Sequence, residues 1–211
     1  MSDIDLPYFV ARPAGGEPGP GVVVIHEGNG ISSQLLRVCQ RLAHQGYATI
    51  APDLFFRAGG TEARDVVTLM GSLTVEQTAA DIAKAIGHLR RLGSGSVGFC
   101  MGGLQAYRTA LSSTGCDAAV GFYGARIAAE LGEPRCPTLL IFGGNDEYIP
   151  VADIEAVVHH HPQTVVYPDA RHGFMRDGSG SYDDAAATDG WSRMLAFLAI
   201  HLGPPDGTGR G

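Results

Sequence analysis

This 211-residue sequence lacks the features that mark membrane and nucleic-acid-binding proteins. No apolar run approaches the roughly 18 residues that a helix needs to cross a bilayer. The amino terminus, Met1 to Asp5, is acidic and carries no apolar signal segment. There is no basic stripe to neutralise phosphates, and the formal net charge is −7. We therefore predict a cytoplasmic protein that acts without a membrane or nucleic-acid partner, as a monomer or a small homo-oligomer.

Cysteine is also scarce, and its spacing excludes two structural roles. The sequence contains no C-x-x-C pair, and its four cysteines are widely separated: Cys39, Cys100, Cys116 and Cys136. This pattern favours reduced thiols over a disulfide framework or a zinc site. We interpret Cys39, Cys116 and Cys136 as core residues. The run 159–161 of three histidines ends a predicted helix before Pro162, so we interpret it as a polar helix end and expect no metal.

What the sequence does contain is an alternation of strands and helices without internal repeats. The predicted strands are 8–12, 21–26, 47–51, the strand that leads into Cys100, 118–123, 137–142 and 164–167. The predicted helices cover about 33–45, 75–91, 101–112, 151–160 and 182–201, with short irregular helix within 54–74. Such alternation predicts an α/β fold with a mainly parallel sheet and helices on both faces. We assign residues 1–203 to one domain and expect residues 204–211, rich in Gly and Pro, to be a disordered tail.

The segment around Cys100 has a recognisable local pattern. A short apolar strand runs into Gly98-Phe99-Cys100-Met101-Gly102, and a helical pattern follows directly. This is the spacing of the nucleophile elbow of α/β hydrolases, with sulfur in place of the usual serine oxygen. The turn strains the backbone of its central residue, and flanking glycines remove side chains that would clash. The amino end of the helix favours a thiolate there. A lone cysteine is otherwise a small buried apolar residue.

Polar residues directly follow several predicted strands. Glu27, Cys100, Asp146 and His172 each do so, and the carboxyl ends of parallel strands meet at one edge of the sheet. Individually, Glu27 reads as a solvated carboxylate, Asp146 as a turn residue and His172 as a surface histidine. Together they follow the nucleophile–acid–base order of a catalytic triad. We also expect an oxyanion hole from the N–H groups of Met101 and Gly28.

His26 needs a separate interpretation because it adjoins Glu27. It could serve as an alternative base, but it ends a strand that is predicted to be buried. We therefore favour a hydrogen-bonded structural role for its ring.

Over about Val22 to Leu198 the sequence resembles the dienelactone hydrolases, which are α/β hydrolases with a cysteine nucleophile. The resemblance is carried by Glu27, Pro52-Asp53-Leu54, Gly98-Phe99-Cys100-Met101-Gly102-Gly103, Phe122-Tyr123-Gly124, Gly143-Gly144-Asn145-Asp146 and His172-Gly173-Phe174-Met175-Arg176. It implies a triad of Cys100, His172 and Asp146, and a Glu27 that contacts the resting thiol and helps to activate it. It further implies that Arg176 binds a substrate carboxylate, with Arg57 or Arg64 as a second carboxylate-binding residue.

We conclude from the sequence that the protein hydrolyses an ester or lactone through an acyl-enzyme, without a metal or organic cofactor. Two alternatives remain open. One is a member that binds a small molecule without turnover, and the other is an acyl transferase or amidase on the same fold. The loop 27–30 carries Gly and Asn where well-known family members have bulkier apolar residues, so the pocket should differ in shape.

Overall fold

Seven strands form one mostly parallel sheet in the computed structural model, which describes residues 7–14, 19–61, 65–89, 93–112 and 115–203. The strands are β1 (Tyr8–Ala11), β2 (Gly21–Ile25), β3 (Ala48–Pro52), β4 (Ser94–Phe99), β5 (Ala118–Phe122), β6 (Thr138–Gly143) and β7 (Val165–Tyr167). Their order is β1-β3-β2-β4-β5-β6-β7. Only β1 is antiparallel to its neighbour, so the sheet confirms the predicted α/β fold.

The helices occupy the positions that the apolar periodicity predicts. They are α1 (Ser33–His44), α2 (Val66–Gly71), α3 (Val75–Leu89), α4 (Met101–Leu111), α5 (Val151–His160) and α6 (Asp184–Leu202), with short 3₁₀ turns at Phe56–Ala58 and Ile127–Glu130. The Ser32 hydroxyl caps α1 by accepting from the N–H of Leu35 at 3.2 Å. Within the described ranges no helix combines the length and apolarity that a membrane span requires. The predicted tail 204–211 lies outside the described residues.

Apolar side chains are buried on both faces of the sheet. Val22 and Val24 of β2 belong to one core cluster together with residues of α1, α5 and α6. The intervening Val23 and Ile25 belong to a second cluster with residues of α3. Side chains alternate along a strand, so an uninterrupted apolar run such as β2 fills both clusters at once.

The strand order creates a crevice at the carboxyl edge of the sheet. The chain passes from β2 to β3 on one side and then returns across β2 to β4 on the other. In such sheets, ligands bind outside the strand ends at the point where this order reverses. Glu27 and Cys100 lie at that point, at the ends of β2 and β4.

The turn between β4 and α4 depends on direct backbone contact. A Cβ on Gly98 would lie 1.9 Å from the carbonyl oxygen of Gly102, and a Cβ on Gly102 would lie 2.3 Å from that of Ile25. A Cβ on Gly103 would lie 2.5 Å from the carbonyl oxygen of Phe122. The first turn of α4 therefore rests on the backbones of β2 and β5, and only glycine fits at these contacts.

We predict that Gly102→Ala destabilises the protein by several kcal/mol, because the added methyl group overlaps the β2 backbone. Gly87→Ala is the matched control. Gly87 lies within α3, and a Cβ there meets nothing within 4 Å. That substitution should stabilise the protein by about 0.5–1 kcal/mol through helix propensity. Urea unfolding followed by circular dichroism measures both changes, and equal effects would contradict the contact argument.

Candidate active site

Cys100 occupies a strained backbone conformation between β4 and α4. Its φ is 54° and its ψ is −117°, a region that L-residues rarely adopt. Its N–H donates to the carbonyl of Phe122 on the neighbouring strand at 3.0 Å, which holds the turn in place. The half-buried thiol lies at the amino end of α4, where the first N–H groups lack partners within the helix. This geometry matches the elbow that the glycine spacing predicts.

His172 and Asp146 form a hydrogen-bonded pair beside the elbow. The Nδ1–H of His172 donates to Oδ2 of Asp146 at 2.8 Å. The other carboxylate oxygen accepts from the N–H groups of Tyr148 and Ile149 at 2.8 and 3.1 Å. The Asp146 side chain is fully buried. The carboxylate is therefore fixed by the loop after β6, and it fixes the orientation of the imidazole ring.

The His172 ring also interacts with the Cys100 thiol, through a hydrogen bond and through charge. Burial lowers the pKa of His172, but the hydrogen bonds with Asp146 and Cys100 and their charges raise it to about 9. The ring therefore carries a proton at neutral pH beside the sulfur. The predicted convergence of these three residues is present in the structure.

Glu27 is paired with Tyr123 and Arg176, whereas the resemblance implies that it contacts the resting thiol. Its buried carboxylate accepts a hydrogen bond from the Tyr123 hydroxyl at 3.2 Å. It also accepts from Nε of Arg176 at 3.1 Å and forms an ion pair with Nη2 at 2.9 Å. Glu27 and Arg176 are therefore each other's partners, whereas the resemblance assigns them to the thiol and to the substrate. Burial raises the pKa of Tyr123 well above its usual range, so its hydroxyl remains a donor.

His26 fixes the loop that carries Glu27. Its Nε2 accepts from the N–H of Leu54 at 3.1 Å, so Nδ1 carries the proton and donates to the carbonyl of Glu27 at 2.7 Å. The ring is completely buried, and this burial lowers its pKa. With both nitrogens bound to backbone groups, His26 has the structural role that the sequence favours and is not a base.

The two predicted oxyanion donors lie at the ends of adjacent parallel strands. Met101 follows Cys100 as the first residue of α4, and Gly28 lies in a turn closed by the N–H of Gly30 on the carbonyl of Glu27 at 3.0 Å. Helix α2 packs over this turn, because a Cβ on Gly28 would lie 2.9 Å from Cγ1 of Val66. A side chain at residue 28 would therefore require the Val66 side chain to move.

The remaining predicted residues lie elsewhere or outside the described chain. The guanidinium of Arg57 forms a bidentate ion pair with the carboxylate of Asp81 in α3. The hydrogen bond from Nη2 of Arg57 to Oδ1 of Asp81 measures 2.9 Å. Arg64 is outside the described residues. The ring of His161 contacts the Tyr107 hydroxyl at 2.9 Å. In the part of the chain that the structure describes, no group of three or more metal-binding side chains occurs.

Three residues at the site are given no role by the sequence analysis. Tyr123 holds Glu27, and its ring edge lies against the His172 ring with centroids 5.1 Å apart. Glu147 accepts from the N–H of His172 at 3.3 Å and binds Arg171 at 2.9 Å, which anchors the histidine loop. The exposed Tyr148 ring lies 4.9 Å from the His172 ring. The signals in the sequence are that Tyr123 belongs to the Phe122-Tyr123-Gly124 motif and directly follows β5, and that Glu147 and Tyr148 come one and two residues after the predicted acid.

Comparison with known proteins identifies the family. The model of the dienelactone hydrolase family matches residues 6–202. The chain belongs to the dienelactone hydrolase family. A relative from Salmonella typhimurium named "Putative carboxymethylenebutenolidase" is 32% identical, covering 94% of this chain and 84% of the relative. This membership confirms the resemblance and makes the protein a hydrolase with an α/β-hydrolase fold.

Solved structures agree with this assignment to the dienelactone hydrolases. A Klebsiella pneumoniae structure described as a "Putative Dienelactone Hydrolase" is 31% identical, with a TM-score of 0.78 and 92% of each chain covered. A dienelactone hydrolase-like promiscuous phosphotriesterase from metagenomic libraries, P91, is 23% identical with a TM-score of 0.77, covering 93% of this chain and 92% of that one. The second likeness supports the fold alone.

We predict that Tyr123→Phe lowers the free energy of unfolding by about 1.5–3 kcal/mol, because the buried Glu27 carboxylate loses a charged hydrogen bond. The matched control is Tyr182→Phe. Tyr182 donates to Asp184 at the exposed start of α6, where the loss should stay below about 0.5 kcal/mol. Urea titration of both variants gives the comparison. A similar small change in both would show that Tyr123 does not support Glu27.

Proposed function

We propose that this hydrolase cleaves an ester or lactone through a thioester acyl-enzyme on Cys100. The observation that carries the proposal is the hydrogen-bonded chain from Asp146 through His172 to the thiol at the elbow. A nucleophile, a base and a residue that orients the base are the three parts that covalent acyl transfer requires. A cytoplasmic location, a small-molecule substrate and a monomeric or small homo-oligomeric state remain predictions.

The proposed reaction needs only groups of the chain and water. The Cys100 thiolate attacks the carbonyl carbon, and the N–H groups of Met101 and Gly28 stabilise the oxyanion. The intermediate collapses as His172 donates its proton to the leaving alcohol. Water then attacks the thioester while His172 accepts a proton, and the released carboxylic acid leaves Cys100 as it began. Asp146 orients His172 throughout.

The pairing of Glu27 with Arg176 supports a substrate that carries a carboxylate. The Arg176 side chain is 36% exposed, whereas that of Glu27 is 8% exposed, so an incoming anion reaches the guanidinium first. A substrate carboxylate would compete with Glu27 for Arg176. A displaced Glu27 carboxylate would be free to act on the thiol, as the family resemblance implies. Arg57 would have to leave Asp81 to provide a second contact, and Arg64 is the other candidate.

We predict that Cys100→Ala lowers kcat/KM for a chromogenic short-chain ester by at least about 10³-fold, because it removes the attacking atom. The control is Cys136→Ala, which alters a half-buried thiol before β6 and should retain activity within about twofold. Rapid quenching of the native enzyme followed by mass spectrometry should find the acyl group on the peptide that contains Cys100. Hydroxylamine should release this acyl group, because hydroxylamine cleaves thioesters.

Undiminished turnover by Cys100→Ala would disprove the acyl-enzyme mechanism. Adding amine and alcohol acceptors to the same assay separates hydrolysis from acyl transfer. If an acceptor replaced water in most of the product, a transferase would be the better description. Ligand binding by calorimetry, with no turnover over a panel of esters and lactones, would instead indicate a binding protein.

We predict an alkaline limb in kcat/KM near pH 9 for an alkyl ester, whose leaving group needs the proton of His172. The pKa of this ring is raised, so the imidazolium persists at neutral pH and is lost as the pH rises through about 9. Asp146→Asn removes a charge and a hydrogen bond that hold the proton, so the limb should move to lower pH. If the alkaline limb of Asp146→Asn lay at the same pH as that of the native enzyme, the limb would report the titration of a group other than His172.

A further inference from the structure

An exposed aromatic ring lies against His172, and the proposed mechanism gives this ring no role. The ring belongs to Tyr148, which is 69% exposed, compared with 42% for Tyr8 and 38% for Tyr182. Single exposed apolar residues are common on protein surfaces, so the exposure alone indicates nothing. The position of Tyr148 distinguishes it, because its ring packs in a T-shaped arrangement on the His172 ring with centroids 4.9 Å apart.

The loop after β6 fixes the backbone from which this ring projects. The N–H of Tyr148 donates to Oδ1 of Asp146 at 2.8 Å, and the N–H of Ile149 donates to the same oxygen at 3.1 Å. Ile149 is buried, and Pro150 follows it as the residue before α5. The other oxygen of Asp146 binds the His172 ring. One carboxylate therefore supports both the imidazole and the backbone of the tyrosine that packs on it.

The two tyrosine rings that contact His172 lie in different environments. The Tyr123 ring is buried, and its centroid lies 5.1 Å from that of His172. Its hydroxyl donates to Glu27, which pairs with Arg176, so the proposed contact for a substrate carboxylate belongs to the Tyr123 side. The Tyr148 ring is open to solvent instead. His172 thus has an ion pair near one neighbour and an uncovered aromatic ring as the other.

The proposed mechanism determines where the leaving alcohol must lie. His172 donates a proton to the leaving oxygen, and such a transfer requires the two heavy atoms to be about 2.6–3.2 Å apart. Because Nδ1 of His172 is bound to Asp146, this proton comes from Nε2. The alcohol portion therefore begins beside the imidazole ring. The buried Tyr123 closes the interior side, so a leaving group that extends toward solvent meets the Tyr148 ring.

We propose that Tyr148 is a specificity residue that binds the alcohol portion of the ester, and that the enzyme favours alcohols that carry an aromatic ring, such as benzyl alcohol. The inference rests on the proposed function and adds the direction in which the substrate lies. The acyl portion extends toward Arg176, and the alcohol portion packs on Tyr148. Two aromatic rings attract each other at centroid distances of about 4.5–7 Å, beyond the effect of the apolar area that they bury.

Two esters with the same acyl group test the contact with the alcohol. Benzyl acetate and ethyl acetate release the same acid, and their alcohols have similar acidity, so His172 performs a similar proton transfer for both. The measured quantity is kcat/KM for benzyl acetate divided by that for ethyl acetate, from acid release in a pH-stat. We expect Tyr148→Ala to lower this ratio by about tenfold. Tyr148→Phe should keep it within about twofold, because the ring makes the contact.

Three controls accompany this measurement. Tyr8→Ala removes an exposed tyrosine from β1 and should leave the benzyl-to-ethyl ratio unchanged. The ratio of kcat/KM for ethyl butyrate to that for ethyl acetate varies only the acyl portion, so Tyr148→Ala should keep it within about twofold. The Tm of Tyr148→Ala should stay within about 2 °C of the native value, because the side chain is exposed and the backbone bond to Asp146 is retained.

An unchanged benzyl-to-ethyl ratio in Tyr148→Ala would overturn the proposal. It would do so even if both activities fell equally, because Tyr148 would then only support His172. A change confined to the acyl ratio would overturn it too. Cys100→Ala is measured with the same esters to test the proposed function separately. Turnover without Cys100 would refute the acyl-enzyme, whereas loss of turnover there, with an unchanged ratio in Tyr148→Ala, would refute only the contact with the alcohol.

Discussion

The contact between the first turn of α4 and the backbone of β2 is the constraint on which the site depends. Gly102 approaches the carbonyl of Ile25 so closely that a methyl group would lie 2.3 Å from the oxygen. This approach brings the amino end of α4 down onto the sheet and forces Cys100 into its strained conformation. The sulfur therefore projects at the sheet edge, where His172 reaches it. The strain is maintained because the surrounding backbone packing leaves no alternative path for the chain.

A second constraint is the buried charge of Glu27. Burying a carboxylate costs several kcal/mol unless it is paired and hydrogen-bonded. Tyr123 and Arg176 provide those partners, and His26 holds the adjoining backbone. The Arg176 end of this network reaches solvent, whereas Glu27 is buried. Under the proposed function, a substrate carboxylate would exchange with the Glu27 carboxylate at this guanidinium, so the stability of the loop after β2 and substrate binding would involve the same side chain.

Local patterns in the sequence predict the fold and the chain order of the site well. Uninterrupted apolar runs such as β2 mark strands buried on both faces, and polar residues after strands must meet at one edge. Pairings between distant residues are not encoded in any local pattern. Glu27 is separated from Tyr123 by 96 residues and from Arg176 by 149. The same reason explains why the Asp81 partner of Arg57 emerges only from the folded chain.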